Sequence, residues 1–264
     1  MTIRRFLTVA VSAALTALAF SNAPQTATAA IIAWGSPQQI TGTTDVITTG
    51  TLFASANFNG SNVNVNGVAF TAFPITNGGT SQTVGNLNVI GTGTAGFSAA
   101  NLSTSSNPYG ALPTDYKNLL GPVLQQSGAA PANTLTFNVN NLTVGATYTI
   151  QYWVNDPRTS SGNGRTVNVG GVVVDANTTN VGGGLGQWLS GQFVADASTQ
   201  SFNVRPAAGS SGDFATANAI QVRLLAVPEP SAIAILAAAA GMTATLRLRR
   251  SRREADVQAA GRES

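Results

Sequence analysis

Between residues 30 and 226 the chain is a series of short runs in which apolar and polar positions alternate. One face of the run 147–154 carries the bulky residues Tyr148, Ile150, Tyr152 and Val154, and the other carries Trp153 with Thr149 and Gln151. A period of two residues predicts β-strands. The predicted strands are 33–40, 45–58, 63–73, 87–90, 134–139, 147–155, 166–169, 172–175, 188–194, 201–205 and 217–225.

These strands are short, and Gly, Asn, Pro or Asp separate each from the next. The pattern predicts an all-β fold, an antiparallel β-sandwich of jelly-roll type. One helix is predicted over 113–120, where Pro113 and Asp115 suit the first turn and Tyr116, Leu119 and Leu120 share one side. We predict that the surrounding segment, 103–131, is a long surface loop that carries this helix.

Residues 1–29 differ sharply in composition from the segment that follows. Arg4 and Arg5 precede an apolar run over 6–20, and the segment closes on the small residues Ala27-Thr28-Ala29. This pattern is typical of a secretory signal peptide, a helix that signal peptidase removes, and it predicts a cut after Ala29. The alternative, an uncleaved membrane anchor, needs a longer apolar stretch of about 20 residues. A single β-sandwich domain is then expected over 30–226.

The distribution of charge excludes several classes of function. The chain has a net charge of +3, but most arginines lie at its two ends, and the segment 30–227 holds five basic residues against six aspartates. Without a basic patch, nucleic-acid binding is not expected. Cysteine and histidine are both absent, which excludes disulfides, zinc sites built on these residues, and Ser-His-Asp or Cys-His catalysis. We expect no cofactor and no bound metal.

The end of the β region is followed by three features in a fixed order. The box Val227-Pro228-Glu229-Pro230 precedes an alanine-rich apolar segment over 231–246. A basic cluster follows, made of Arg247, Arg249, Arg250, Arg252 and Arg253. This tripartite segment, 227–253, resembles the PEP-CTERM sorting signal of Gram-negative bacteria.

The resemblance implies that an exosortase-type membrane enzyme recognises Pro228, Glu229 and Pro230 and cuts near them. An apolar helix of 16 residues rises about 24 Å, short of a hydrocarbon core of about 30 Å, so it suits a transient anchor. The arginines would stay on the cytoplasmic side, with the domain at the cell surface or outside the cell. A plain single-span anchor is the alternative. The tail 254–264 runs past the usual end of such signals and is predicted to be disordered.

A second resemblance concerns the segment 142–224. The turn and strand Leu142-Thr143-Val144-Gly145-Ala146-Thr147-Tyr148, with the strands after it, is similar to the C-terminal half of a galactose-binding-like jelly roll. This implies a carbohydrate-binding module. The candidate glycan-binding residues are Trp153, Asp156, Arg158 and Arg165, an aromatic face and planar hydrogen-bonding groups around one loop. Alternatively, Trp153 packs in the core and Asp156 pairs with Arg158 or Arg165.

The leading hypothesis is a non-enzymatic matrix or surface module that binds extracellular polysaccharide. A secreted carbohydrate-active enzyme that uses aspartates is the first alternative, although no spacing singles out a catalytic pair. An ice-binding protein is the second, because the same C-terminal signature occurs on some ice-binding proteins. The threonines at 43–44, 48–49 and 178–179 and the segment 76–94 supply suitable residues but no regular period. No calcium-binding loop motif is present.

Overall fold

The computed structural model describes residues 31–92, 95–127, 133–158, 164–210 and 214–227. The chain divides into two compact units, Met1–Ala226 and Val227–Ser264. The predicted signal peptide, the sorting signal beyond Val227 and the tail 254–264 lie outside the described residues. In the part of the chain that is described, no helix is long and apolar enough to cross a membrane.

Most of the described chain is extended. The strands are β1 (Ala33–Trp34), β2 (Gln38–Gln39), β3 (Thr51–Phe58), β4 (Val63–Val65), β5 (Val68–Phe70), β6 (Ala72–Phe73), β7 (Ser81–Val84), β8 (Leu87–Gly91), β9 (Phe97–Asn101), β10 (Pro122–Ser127), β11 (Leu135–Val139), β12 (Thr147–Val154), β13 (Thr166–Val169), β14 (Val172–Asp175), β15 (Gln187–Val194), β16 (Gln200–Pro206), β17 (Phe214–Ala217) and β18 (Ala219–Ala226). The helices are α1 (Thr114–Leu120) and the 3₁₀ turns Thr43–Asp45 and Tyr109–Ala111.

Two large sheets form the sandwich. The first sheet has the strand order β1-β15-β12-β18-β3-β6, with β2 also paired to β15, and the second has the order β14-β13-β16-β11-β8-β7. A small third sheet has the order β17-β10-β9. All pairs are antiparallel except β3 with β6. The all-β, antiparallel sandwich class is therefore confirmed.

The main core lies between the two large sheets. The face of β12 predicted to be apolar is buried in it, and every bulky side chain of that face is 0% exposed. Phe137 of the second sheet stacks on Phe202 at 5.1 Å and meets Tyr152 and Phe58 of the first sheet edge-on at 5.5 and 5.7 Å. Such aromatic pairs stabilise a core beyond the area that they bury.

A second core covers the outer face of the first sheet. It contains Trp153 of β12, Phe70 of the β4–β5 hairpin, and Tyr116, Leu119 and Leu120 of α1. The hairpin turns at Asn66 and Gly67, whose φ angles of 53° and 77° are those of the tight turns favoured by an Asn-Gly sequence. The central strands β12 and β18 are consequently buried on both faces over most of their length, whereas Gln192 and Val194 of β15 remain exposed.

The predicted helix is confirmed, because α1 begins just after Pro113 and buries the three side chains assigned to its apolar side. The prediction of one long loop over 103–131 is wrong, since β10 lies within it. The adjacent residues Gln125 and Gln126 place polar side chains on both faces of β10, so the sequence lacks the alternation that predicts a strand. Both residues are buried. The strands β7 and β9 were also missed, because their Ser, Thr, Gln and Ala residues give little apolar contrast.

Candidate ligand-binding surfaces

Trp153 has no surface on which a sugar ring could stack. The indole is 0% exposed and packs edge-on against Phe70 at 5.6 Å. Its Nε1 donates to the hydroxyl of Tyr116 at 3.2 Å, and that hydroxyl donates to Oδ2 of Asp45 at 3.0 Å. The role predicted for Trp153 as an aromatic platform is thus corrected: α1 and the β4–β5 hairpin cover the face of the sheet on which it lies.

Asp156, Arg158 and Arg165 are brought together as predicted. Arg158 donates from Nε and Nη2 to the two carboxylate oxygens of Asp156, each at 2.8 Å, and Arg165 donates to Oδ2 from Nη1. Asp156 is fully buried and the side chain of Arg158 is 36% exposed. The hydrogen bond to Asp156 raises the pKa of Arg158, whereas burial lowers the pKa of Arg165. These two guanidinium groups and one carboxylate carry a formal net charge of +1.

The two arginines differ in what surrounds them. The guanidinium carbon of Arg165 lies 4.9 Å from the centroid of the Phe214 ring, and the residue is only 4% exposed. Asp156 itself is held by its backbone, whose N–H donates to Ala176 at 2.7 Å. Asp156 therefore forms the ion pairs with Arg158 and Arg165 that the alternative interpretation predicted. Arg158 remains the member with substantial exposed surface.

The outer face of the first sheet also carries polar side chains, and the segment 45–50 covers them. Oε1 of Gln151 accepts from the N–H of Ile47 at 2.9 Å and from Nε2 of Gln221 at 2.7 Å. Arg223 donates to the carbonyls of residues 48, 49 and 50 at 2.7, 2.8 and 2.6 Å. We call Gln151, Gln221 and Arg223 the covered polar ladder.

The outer face of the second sheet is open, and of its residues only those in the segment 76–94 were named from the sequence, for the ice-binding alternative. Two rows of side chains cross four adjacent strands, β7, β8, β11 and β16. The first row is Thr83, Asn88, Asn138 and Ser201, and the second is Ser81, Ile90, Thr136 and Asn203. We call these eight residues the amide–hydroxyl face. Each is half-buried or exposed, whereas the residues that alternate with them on β8, β11 and β16 are buried.

Hydrogen bonds link the amide–hydroxyl face from side to side. Ser201 donates to Asn138 at 2.6 Å, Asn138 donates to Asn88 at 2.9 Å, and Asn88 donates to Thr83 at 2.8 Å. In the second row Thr136 donates to Asn203 at 2.9 Å. With neighbouring strands about 4.8 Å apart, the rows extend over about 15 Å. Neither row contains a charged side chain.

A signal for this face was present in the sequence. In Ser201-Phe202-Asn203-Val204 the apolar residues predict a buried face, so Ser201 and Asn203 had to share the other one. Local alternation shows that each polar residue faces outward. It does not show that four such strands are neighbours, because β16 pairs with β11 more than sixty residues away in sequence, through contacts such as Phe202 with Phe137.

Two shallow grooves flank the β4–β5 hairpin. One, of about 320 Å³, is lined by half-buried Leu52 and Phe53 on one side and by Val84 and Asn86 on the other. The second, of about 370 Å³, lies over Asn62 to Asn64 and 69–71. No titratable residue lines either groove. Within the described part of the chain, no three acidic residues come close enough together to hold a metal ion.

Neither a protein-family model nor a curated protein matches this sequence. Similar solved structures include the extracellular domains of ANXUR2 and ANXUR1 from Arabidopsis thaliana, which are 11% and 10% identical over 68% of this chain, with TM-scores of 0.48 and 0.47. The match spans 51% of each of those chains. An exo-β-1,3-galactanase from Phanerochaete chrysosporium, solved with β-1,3-galactotriose, is 18% identical over 53% of this chain and 30% of its own, with a TM-score of 0.23. Likenesses this distant carry no information about a ligand.

Proposed function

We propose that this protein is exported, is sorted by its PEP-CTERM signal, and binds neutral polysaccharide of the cell surface or matrix without catalysing a reaction. The observation that carries the binding proposal is the amide–hydroxyl face, an open array of uncharged donors and acceptors over four strands. Carbohydrate hydroxyls both donate and accept, as amides and hydroxyls do. An exposed array of such groups can therefore replace the water around a polymer chain.

The charge of the face selects among polymers. The rows contain only Ser, Thr, Asn and Ile. The charged residues nearest to them lie outside the rows: Arg205 is on β16, two residues beyond Asn203, and Asp175 is on β14, two strands away. An acidic polymer would gain no ion pair from the rows, and nucleic-acid binding depends on such pairs. Asn203 also keeps hydrogen-bonding capacity, since it accepts from Thr136 while its Nδ2 has no partner among the described residues. A neutral chain is the better match.

Binding to insoluble and soluble neutral polysaccharides, measured beside an acidic one, tests this proposal. Asn138→Ala removes two hydrogen bonds from the first row, and we expect about tenfold weaker binding, which corresponds to about 1.4 kcal/mol. Gln38→Ala is the matched control, because Gln38 is an exposed amide of the first sheet that bonds only locally, to Ser36 at 3.1 Å. Equal loss in both variants would refute the assignment to the amide–hydroxyl face.

The two alternatives have separate tests. Asp45 is bonded to Thr41, Gly42 and Tyr116, and Asp156 is bonded to two arginines, so neither is placed as a free acid or base. Turnover of a polysaccharide that a single Asp→Asn change abolishes would favour the enzyme instead. The uncharged hydroxyls and amides of the amide–hydroxyl face also suit ice, and thermal hysteresis abolished by Asn138→Ala would make ice the ligand.

The sorting proposal rests on the sequence alone. In a host that contains an exosortase, Glu229→Ala should change the size or the location of the protein, whereas changes in the β domain should not. A variant with unchanged processing and location would favour the plain single-span anchor. The proposed topology, with the arginines inside and the domain outside, is tested independently by protease accessibility of intact cells.

A further inference from the structure

We infer that the cluster around Arg165 is a second binding site, which takes a carboxylate. The site uses none of the residues of the amide–hydroxyl face, and its test does not depend on polysaccharide binding. The observation behind it is a group of buried hydrogen-bonding atoms with no partner: Nε of Arg165, Nε2 of Gln125 and Oγ1 of Thr216. These residues are 4%, 6% and 0% exposed.

The small third sheet places these atoms on one face. Gln125 of β10 lies directly opposite Thr216 of β17, and Ser127 lies opposite Phe214. Because side chains alternate along a strand, Thr216 and Phe214 point to the same side. Arg165 lies over the ring of Phe214, with its guanidinium carbon 4.9 Å from the centroid. Arg165 thus lies over a ring that shares its side of β17 with Thr216, the residue opposite Gln125.

The orientation of Arg165 leaves its Nε–Nη2 edge without a hydrogen-bond partner in the described chain. Arg158 uses Nε and Nη2, the side-on edge, for a two-point contact with Asp156. Arg165 instead contacts Asp156 through Nη1, and no hydrogen bond from its Nε or Nη2 reaches the described chain. The Nε–Nη2 edge is a pair of parallel donors that matches the two oxygens of a carboxylate.

The charges and donors of the cluster favour an anion. Asp156 offsets one of the two guanidinium charges, so a formal charge of +1 remains. Gln125 Nε2 is a donor, and the Thr216 hydroxyl can donate to an oxygen acceptor. A buried donor without a partner is costly, and a bound carboxylate would satisfy several at once. The cluster reaches solvent at Arg158, whose side chain is 36% exposed.

Titration of the full chain with sodium glucuronate, acetate, a dipeptide, glucose and sulfate at constant ionic strength tests this inference. The readouts are the ¹⁵N–¹H signal of Arg165 Nε and the melting temperature. We expect glucuronate, acetate or the dipeptide to move the signal and raise the melting temperature, and the strongest of them identifies the source of the carboxylate. Glucose should do neither. No response to any carboxylate, or sulfate binding as tightly as carboxylate, would overturn the assignment.

Thr216→Val separates binding from folding, because it replaces a hydroxyl by a methyl group of similar size. Since the hydroxyl has no partner, the free variant should melt at the same temperature or higher, while carboxylate binding weakens about tenfold. Gln125→Met should behave likewise. Thr136→Val, which changes a hydroxyl of the amide–hydroxyl face, is the control and should leave carboxylate binding unchanged. A lower melting temperature for Thr216→Val with unaltered affinity would show that the hydroxyl serves the fold, and would refute the site.

Discussion

The outer faces of the two large sheets both carry polar side chains, but these are buried on the first sheet and exposed on the second. On the first sheet, Gln151, Gln221 and Arg223 are 0%, 1% and 7% exposed, and their donors and acceptors bond to the backbone of residues 45–50. On the second sheet, Asn138 and Ser201 remain accessible and bond to side chains of neighbouring strands. Polar residues at alternate strand positions therefore stabilise the fold where a loop covers them. Where no loop covers them, they are accessible to a ligand.

The comparison predicts its largest effect at Trp153, on the covered side. Trp153→Ala would leave a cavity among Phe70, Tyr116 and Ala219 and should lower the free energy of unfolding by about 3–5 kcal/mol. Urea unfolding measures this loss. Polysaccharide affinity of the folded fraction should not change. A variant that unfolds at the wild-type urea concentration but binds weakly would place Trp153 in a binding site.

A smaller loss is expected for Arg223→Met. Arg223 donates to three backbone carbonyls, and removing the guanidinium leaves them without these donors, at a cost of about 2–3 kcal/mol. The same urea series measures it. Lys117→Met is a control for loss of a cation, since Lys117 bonds to a single carbonyl, that of Gly110, at 3.0 Å. Equal losses would show that charge, rather than the bonds to residues 48–50, accounts for the effect.

Alkaline pH should weaken the covered side. Burial, followed by the nearby charge of Asp45, raises the pKa of Tyr116, and burial also raises the pKa of Tyr109. A phenol with a raised pKa favours the protonated folded state, so its contribution is complete below the unfolded pKa of about 10 and is lost as pH rises above it. Stability measured from pH 8 to pH 11 should fall, and less steeply for Tyr116→Phe. Parallel curves would contradict this role for Tyr116.

On the open side, Asn88→Ala should change stability little and binding more. Its hydrogen bonds are exposed or half-buried, so we expect a loss below about 1 kcal/mol in the free energy of unfolding. Neutral polysaccharide binding should weaken about tenfold, as for Asn138→Ala. Urea unfolding and an affinity measurement on the same sample check both. A large stability loss with full affinity would make the second sheet's face structural, like the first.

The smallest expected effect is that of pH and salt on the affinity for neutral polysaccharide, which should not change. No side chain of the amide–hydroxyl face titrates or carries charge, so affinity for neutral polysaccharide should stay constant from about pH 5 to pH 9 and from low to high salt. Carboxylate binding at Arg165 should instead weaken with added salt. If the affinity for neutral polysaccharide depended on salt, the polysaccharide would bind near the arginines rather than on the amide–hydroxyl face.

Sequence patterns predicted the helix α1 and most strands of the sandwich, because local alternation and spacing encode them, but they missed β7, β9 and β10. The patterns also predicted that Asp156, Arg158 and Arg165 lie together, because these residues are near one another along the chain. They did not predict which sheet face is covered, because α1 and the β4–β5 hairpin reach Trp153 from distant parts of the sequence. For the same reason the amide–hydroxyl face was missed, since β7, β8, β11 and β16 become neighbours only through long-range pairing.

The most direct test follows the amide signals of the folded protein while a neutral oligosaccharide is added. The shifts should concentrate on Thr83, Asn88, Thr136, Asn138, Ser201 and Asn203, and in Asn138→Ala they should need about tenfold more oligosaccharide. Signals of Gln151, Trp153 and Gln221 should stay in place. Shifts confined to the covered polar ladder, or no shift on the second sheet with an oligosaccharide that binds, would contradict the assignment of the open face as the binding surface.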